Sequence, residues 1–270
     1  MTSLAGLFVY PIKSCRGSAL TQATLTPAGL EHDREWMVVT AEGRFLTQRE
    51  LPRLALVVPR LDAQALSIAG PGMDELRVPL DDWSGAQVEV AVWSDTCRAL
   101  DAGDAAADWF STFLGRPVRL VRFDGQRRTD PKWSAGLDGE TRFTDGFPLL
   151  VLSRASLDDL NERLPEPLPL DRFRTSLLLD GCEPYAEDRI DELAAGDVRI
   201  RLVKPCTRCV ITATDQQTAE REGEEPLRTL RTYRWDRQLK GVTFAQNAIV
   251  VAGTPAELRV GMTFEATYRA

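Results

Sequence analysis

Apolar and polar residues alternate in many short stretches of the chain, which is the pattern of a β-strand with one buried face. The clearest stretches cover residues 7–10, 35–40, 87–93, 118–123, 198–203 and 210–214. Helical spacing of apolar residues is clear in only three places, at residues 104–114, at residues 153–164 and in a segment that begins at residue 225. The pattern predicts a mainly β fold with a few helices (α+β), because many strands with few intervening helices favour barrels or sandwiches over a doubly wound sheet.

Individual residues predict where the helices and the domains end. Gly115 follows the first helical segment, Ser153 opens the second, and Pro226 stands in the first turn of the third, each at a position typical of its residue type. The polar stretch 124–131 follows the first helix and a strand, near the middle of the chain. We therefore predict two domains, residues 1–123 and residues 124–270.

The composition is that of an ordinary globular protein. Of the 270 residues, 43% are hydrophobic and 27% are charged, which excludes a disordered tail, a collagen and a disulfide-stapled mini-protein. The net charge of −7 argues against an extended nucleic-acid surface, although one basic pocket could still hold a small phosphorylated ligand. The first ten residues carry no basic leader, and no run approaches the ~18 apolar residues that span a bilayer. We expect a cytoplasmic protein that binds neither nucleic acid nor membrane.

The most distinctive segment contains a Cys-x-x-Cys pair, Cys206 and Cys209, between two stretches predicted as strands. We expect both thiols in a tight loop. Five cysteines, an odd number without a secretory signal, argue against structural disulfides. The pair could bind zinc, form a redox couple, act as nucleophile or metal ligand, or be buried and idle.

The residues around this pair help to distinguish between these alternatives. A closed zinc site needs four ligands, but the chain has no second Cys-x-x-Cys and a single histidine, His32. A thioredoxin-like pair belongs at the start of a helix in a βαβ unit, which the pattern does not predict here. Arg208 and Lys204 stand beside the thiols and favour the thiolate, the form that binds soft metals or attacks electrophiles.

Other kinds of site are less well indicated. His32 lies in a charged turn before a predicted strand, where a solvated side chain is the more common role. Neither Gly-x-Gly-x-x-Gly nor Gly-x-x-x-x-Gly-Lys-Ser/Thr occurs, so nicotinamide and nucleotide-hydrolysis sites are not predicted. The turn at residues 10–17 offers Lys13, Ser14 and Arg16 as donors to a phosphate or pterin, with a solvated basic turn as the alternative.

Taken in order, these segments resemble the MOSC family, which includes the amidoxime-reducing components and their bacterial relatives. The resemblance covers nearly the whole chain and is carried by residues 10–17, 33–34, 109–122, 145–148, 153–157, 173–174, 205–209, 225–227 and 244–247. Each segment alone is only weakly specific for the family, but the presence of all these segments in the same order is strongly specific for it. The resemblance implies two β-barrel-like domains, an N-terminal MOSC barrel followed by a MOSC barrel, with a molybdopterin-type cofactor between them.

The resemblance also implies a set of site residues. Cys209, the second cysteine of the pair, matches the protein thiolate that coordinates the molybdenum. By position, the residues that bind the cofactor are Lys13, Ser14, Arg34, Gly146, Phe147, Arg174, Ser176, Thr207, Arg208, Cys209 and Asn247. Relatives have Ser, Thr or Asn where this chain has Gly146 and Phe147, so the resemblance implies only backbone contacts with the cofactor at these two positions. The family's usual glycine is replaced by Ala245.

The function implied by the resemblance is the molybdenum-dependent reduction of N-hydroxylated compounds such as amidoximes, hydroxylamines and hydroxylated bases. Cys209 would hold the metal, and Asp215 could shuttle protons if its side chain faced that metal. Electrons would come from a separate protein, a ferredoxin, a cytochrome or a flavoprotein. The alternatives are a non-enzymatic carrier of molybdopterin or of a persulfide, and a scaffold with idle thiols.

Overall fold

The structure is a computed structural model that describes residues 1–82, 84–134 and 136–269. Its strands are β1 (Thr2–Val9), β2 (Ser18–Leu20), β3 (Gln22–Thr26), β4 (Gly29–Leu30), β5 (Trp36–Val39), β6 (Val58–Leu61), β7 (Ala65–Ala69), β8 (Leu76–Pro79), β9 (Gln87–Val92), β10 (Asp95–Asp101), β11 (Arg119–Phe123), β12 (Leu149–Ser153), β13 (Leu177–Asp180), β14 (Ile190–Ala195), β15 (Val198–Thr207), β16 (Trp235–Asp236), β17 (Gly241–Ala252), β18 (Ala256–Arg259) and β19 (Thr263–Tyr268). The helices are α1 (Asp104–Leu114), α2 (Arg154–Arg163) and α3 (Leu227–Arg231), with 3₁₀ turns at Pro52–Leu56, Leu170–Phe173, Ala186–Asp188 and Val210–Ala213. The predicted mainly β fold is confirmed.

A closed seven-stranded barrel forms the centre of the molecule. Its strands follow the order β12-β13-β1-β19-β14-β15-β17, and pairing of β17 with β12 closes the sheet. The alternating strand pattern turns apolar residues inward, where they are almost fully buried, among them Leu4, Leu7, Val151, Leu177, Ile200, Leu202, Ala248 and Phe264. Closure leaves no free edge among these seven strands, and the strand ends form a rim that can hold a site.

The N-terminal half adds smaller sheets beside the barrel. One has the order β5-β11-β10-β9 and another the order β6-β7-β8. Helix α1 covers them with Trp109, Phe110 and Phe113, which pack against Trp36 and Leu66. Strands also pair across the predicted domain boundary near residue 124, because β1 lies in the barrel and β18 pairs with β3. The division at that residue stays a prediction.

The predicted helices form, and the ends of α1 and α2 follow the expected signals, whereas Pro226 precedes the short α3 instead of standing in its first turn. Gly115 ends α1 in the left-handed conformation with φ 69°, which glycine adopts without steric cost. Ser153 caps α2, since its Oγ accepts a hydrogen bond from Ser156 N at 3.1 Å. No helix in the described ranges is long and apolar enough to cross a bilayer.

The strand predicted at residues 210–214 is wrong. The segment Val210–Ala213 forms a 3₁₀ turn instead, because Thr212 N bonds to Cys209 O and Thr214 N to Ile211 O, each at 3.0 Å. The expected tight loop around both thiols is also wrong for one of them. Strand β15 continues through Cys206, and the chain leaves the sheet only before Cys209.

Candidate functional site

One pocket lies where turns of the N-terminal half meet the ends of barrel strands β12, β13, β15 and β17. Its cavity has a volume of about 150 Å³ for water-sized molecules and is partly open to solvent. All eleven residues predicted from the sequence line it, namely Lys13, Ser14, Arg34, Gly146, Phe147, Arg174, Ser176, Thr207, Arg208, Cys209 and Asn247. The structure thus brings together residues up to 234 positions apart, from Lys13 to Asn247, while their role toward a cofactor stays a prediction.

Several of these residues have an unusual backbone conformation. Ser14, Arg34 and Arg174 adopt the left-handed region with φ of 66°, 47° and 56°. Residues other than glycine enter this region at an energetic cost, and such positions cluster at functional sites. The tight turns that carry these side chains therefore serve the geometry of the pocket.

At one end of the pocket, two guanidinium groups stack on the same aromatic ring. The Cζ atoms of Arg34 and Arg174 lie 4.1 and 4.4 Å from the centroid of Tyr10. Tyr10 is buried and donates its hydroxyl to Thr175 O at 3.1 Å, and burial raises its pKa to about 12. The ring therefore remains neutral and holds both cations. We call Arg34 and Arg174 the arginine pair.

The two members of the arginine pair differ in how their charge is compensated. Burial and the neighbouring Arg34 lower the pKa of Arg174 to about 10, so the guanidinium stays charged at neutral pH but lacks full compensation. Asp33 neutralises Arg34 through a 2.5 Å contact between Oδ2 and Nη1. Arg174 Nη1 donates instead to the neutral carbonyl of Cys15 at 2.7 Å. This end of the pocket is suited to an anionic group.

At the other end, three donors from the N-terminal half converge on one carboxylate. Lys13 Nζ contacts Asp145 Oδ1 at 2.5 Å, Arg49 Nη2 donates to Oδ2 at 3.2 Å, and Trp93 Nε1 donates to Oδ1 at 3.3 Å. We call these four residues the carboxylate clamp. Partial desolvation of this half-exposed carboxylate would raise the pKa of Asp145, but Lys13 and Arg49 hold it well below its usual range. Asp145 is therefore an ionised acceptor at neutral pH and does not supply a proton.

The two thiols of the pair have different surroundings. Cys209 lies just after β15 and lines the pocket together with Arg49 of the carboxylate clamp. Cys206 accepts a hydrogen bond from Arg208 Nη1 at 3.0 Å and thereby orients that guanidinium in the pocket. Cys209 is therefore placed beside the carboxylate clamp, whereas Cys206 positions another pocket residue.

Two buried donors in this pocket have no acceptor in the part of the chain that the structure describes, Arg49 Nη1 and Arg208 Nε. An unsatisfied buried donor costs on the order of 1–3 kcal/mol, and more when it is charged. Both donors belong to cations that line the pocket. A bound anionic molecule with oxygen or sulfur acceptors would satisfy them, so the residues present fit the phosphate and sulfur groups of a molybdopterin.

Two members of the clamp, Arg49 and Asp145, line the pocket but were not predicted to. Asp145 adjoins Gly146 in a segment that carried the family resemblance, and this adjacency is the signal that could have identified it. Arg49 and Trp93 stand in no motif. Only the fold brings them to the carboxylate.

The role suggested for Asp215 is wrong. Its Oδ2 accepts a hydrogen bond from Arg172 Nη2 at 2.7 Å, and its Oδ1 accepts from Gln217 N at 2.7 Å. These bonds fix a turn and direct the carboxylate toward a different cavity. His32 does not line the pocket either, and its Nδ1 lies 2.8 Å from Glu35 Oε2.

The described residues contain no group of three or more His, Cys, Asp or Glu side chains that could hold a metal ion. Cys209, Cys206 and Asp145 line the pocket together with cations, and Cys209 stays the predicted metal ligand among them. Thiolates are good ligands for soft metals.

Comparisons with known proteins find similarity to one family along almost the whole chain. Family models match as a MOSC N-terminal beta barrel domain over residues 1–117 and as a MOSC domain over residues 138–265. Mitochondrial amidoxime-reducing component 1 of Homo sapiens is 34% identical over 273 residues, which cover 96% of this chain and 81% of that protein. Mitochondrial amidoxime reducing component 2 of Rattus norvegicus is 35% identical over 244 residues, covering 86% and 72%.

Solved structures match a smaller part of this chain than these relatives do. A protein of Bordetella bronchiseptica with 29% identity covers 37% of this chain and 88% of its own, at a TM-score of 0.31, and this likeness carries no argument. The family models and the relatives are sufficient by themselves. The chain belongs to the MOSC family, with an N-terminal MOSC barrel domain and a MOSC domain, and it is homologous to the amidoxime-reducing components.

Proposed function

We propose that this protein is a molybdenum-cofactor-dependent reductase of small N-hydroxylated compounds, such as amidoximes and hydroxylamines, and that it acts in the cytoplasm. The observation that carries the proposal is that Cys209 and five cationic side chains line the same pocket. The relatives named as amidoxime-reducing components support the substrate class.

The chain's own residues divide the binding of the cofactor between them. The arginine pair would take the phosphate through charge-assisted hydrogen bonds. Lys13 and Ser14 would hold the pterin side, and Gly146 and Phe147 would contribute backbone contacts. Cys209 would give its sulfur to the metal, and Arg208 would offer its unpartnered Nε to an acceptor.

When bound, the cofactor supplies a molybdenum centre that transfers two electrons. The overall reaction breaks the N–O bond of the substrate, forms an N–H bond and releases the oxygen as water, consuming two electrons and two protons. We place the electron source in a separate redox protein, a ferredoxin, a cytochrome or a flavoprotein. Asp145 stays ionised and positions Lys13 and Arg49, so the protons reach the substrate by another path.

The test is elemental analysis for molybdenum and zinc on protein expressed in a host that makes the cofactor, beside the variant Cys209→Ala. We expect near-stoichiometric molybdenum in the wild type, its loss in the variant, and turnover of an amidoxime with reduced viologen. Cys182→Ala is the matched control, because Cys182 lies outside the pocket.

Each other outcome contradicts the proposal in a distinct way. Molybdenum without turnover would favour the carrier function, in which the pocket holds the cofactor for transfer. Bound zinc would show that the cysteine pair has another role. A wild type without molybdenum despite supply would overturn the cofactor assignment.

A further inference from the structure

Beside the pocket, the ammonium group of Lys204 contacts two aromatic rings. Lys204 Nζ lies 4.3 Å from the ring centroid of Trp133 and 6.0 Å from that of Phe147. A cation at such distances is attracted by the negative face of an aromatic ring. Phe147 lines the pocket, so this ammonium group stands at the edge of the pocket.

The position of Lys204 in strand β15 directs its side chain to the same side as the pocket. Its partner in the register between β15 and β17 is Asn247. Residues that lie opposite each other in an antiparallel pair project from the same face of the sheet. Asn247 lines the pocket, and so does Cys206, two residues after Lys204. The lysine therefore extends the pocket face of the sheet beyond the residues that line the cavity.

The charge of Lys204 has no internal counterion. In the part of the chain that the structure describes, no carboxylate forms an ion pair with its half-buried side chain. A second ammonium group approaches the same ring, because Lys132 Nζ lies 5.1 Å from the centroid of Trp133. Lys13, by contrast, is paired with Asp145 inside the pocket. The edge of the pocket thus has positive charge that an anionic ligand can neutralise.

The loop that carries Trp133 is held firmly against the barrel. Trp133 N donates to Asp130 O at 2.9 Å, and Thr129 N donates to Gly139 O at 2.8 Å. A Cβ atom added at Gly139 would lie only 2.8 Å from Cγ2 of Ile249, so the loop packs directly on β17. The aromatic ring is therefore presented to Lys204 by a fixed turn.

We propose that Lys204, Trp133 and Phe147 form a substrate subsite that selects N-hydroxylated compounds with a flat aromatic body and an anionic group such as a carboxylate. The inference rests on the proposed function, in which the reduction takes place in the adjoining pocket. The two rings offer apolar surface to the aromatic body, and the ammonium group pairs with the anion. A neutral substrate gains only the contact with the rings.

The test compares benzamidoxime with 4-carboxybenzamidoxime as substrates of the molybdenum-loaded protein, with reduced viologen as the electron source. In the wild type, the KM for the carboxylate should be about fivefold lower than the KM for benzamidoxime, and added salt should diminish this advantage. Lys204→Met keeps the length of the side chain and removes its charge, so the two KM values should become similar. Lys204→Arg should restore the difference, which a merely structural role of the lysine would leave unchanged in every variant.

A binding measurement tests the subsite without turnover. Titration with 4-carboxybenzamidoxime should quench part of the tryptophan fluorescence of the wild type, because the ligand contacts the ring of Trp133. Trp133→Phe keeps an aromatic ring but should lack this part of the quenching. Equal quenching in the wild type and in Trp133→Phe would place the ligand elsewhere and contradict the inference.

Arg53→Met is the matched control. Arg53 is also a cation on an aromatic ring, with its Cζ 4.8 Å from the centroid of Phe113, but it does not line the pocket. Its ratio of KM values should equal that of the wild type.

Three results would overturn the inference in distinguishable ways. Equal KM values for the two compounds in the wild type, or an unchanged ratio in Lys204→Met, would overturn this inference alone. Loss of molybdenum from Lys204→Met would assign the ammonium group to cofactor binding and would also overturn it. A molybdenum-loaded wild type that turns over neither compound would overturn the proposed function and this inference with it.

Discussion

The two ends of the pocket differ in the groups that their cations contact. At the arginine pair, two guanidinium groups share the ring of Tyr10, and Arg174 donates to a carbonyl rather than to a carboxylate. At the carboxylate clamp, Lys13 and Arg49 are both paired with Asp145. Each end has two cations and one carboxylate, since Asp33 pairs with Arg34, but the distribution differs: both cations of the second end contact the carboxylate, whereas Arg174 at the first end donates only to a carbonyl.

This difference indicates that the two ends of one pocket can perform different tasks. Uncompensated cations bind an anionic group strongly, because the ligand supplies the charge that the fold omits. Paired cations contribute less to binding but hold each other in fixed positions, which suits the place where a reaction occurs. The following variants test whether the two ends differ in this way.

Of the variants that compare the two ends, those at the arginine pair should have the largest effect. Arg174→Gln and Arg34→Gln each remove a charge-assisted bond of about 1–3 kcal/mol, which corresponds to a roughly 5- to 150-fold loss of cofactor affinity. Molybdenum content after extended dialysis measures this loss. Arg142→Gln, an arginine outside the pocket, is the control, and undiminished content in both pair variants would place the anion elsewhere.

A smaller effect is expected from the ring between the two arginines. Tyr10→Leu removes the face on which both guanidinium groups stack, so the pterin released on denaturation should fall several-fold below the wild type. Tyr10→Phe keeps that face and loses only the bond to Thr175 O, worth about 1 kcal/mol of folding stability. Equal cofactor loss in the two variants would contradict a stacking role.

At the carboxylate clamp, the expected effect is a pH dependence of stability. The pKa of Asp145 lies below its unfolded value of about 3.9, so its contribution to the free energy of unfolding is present above that pH and is lost as the pH falls through the lowered native pKa. The advantage of the wild type over Asp145→Asn should therefore shrink below about pH 4. Solvent screens part of it, since the side chain is 53% exposed.

Urea unfolding at a series of pH values measures this advantage. Asp138→Asn is the matched control, because Asp138 is 78% exposed and its ion pair with Arg128 lies on the surface. A difference between wild type and Asp145→Asn that stays constant from neutral pH to pH 2 would show that Asp145 is not held ionised by its neighbours.

The smallest effect is expected at Cys206. Cys206→Ser weakens one hydrogen bond to Arg208, whose Nη2 keeps its bond of 2.8 Å to Phe173 O. Molybdenum content and turnover should fall by only a few-fold, in contrast to complete loss in Cys209→Ser. Equal loss in the two variants would favour a redox pair over a single metal ligand.

Short-range features of this protein were readable in the sequence. Strand alternation, the glycine stop at Gly115 and the serine cap at Ser153 depend on neighbouring residues, so five of the six predicted strands form and helices α1 and α2 have the expected ends. The ordered motifs around Lys13, Arg174 and Cys209 carried the family resemblance and selected residues that do line one pocket. Local rules failed at residues 210–214, where apolar periodicity alone did not distinguish a strand from a 3₁₀ turn.

Only the tertiary structure decided how distant segments meet. Strand β1 closes the barrel by pairing with β13 and β19, and Asp145 finds Lys13 132 residues away. Trp93 and Arg49 carry no local signature, because their roles follow from a hairpin and a turn that the packing of other elements brings to the pocket. The sequence by itself determined the fold class, several of the strands and helices, and the family that the chain resembles. Long-range pairing determined the charge balance of the pocket, because that balance depends on contacts between residues far apart in the chain.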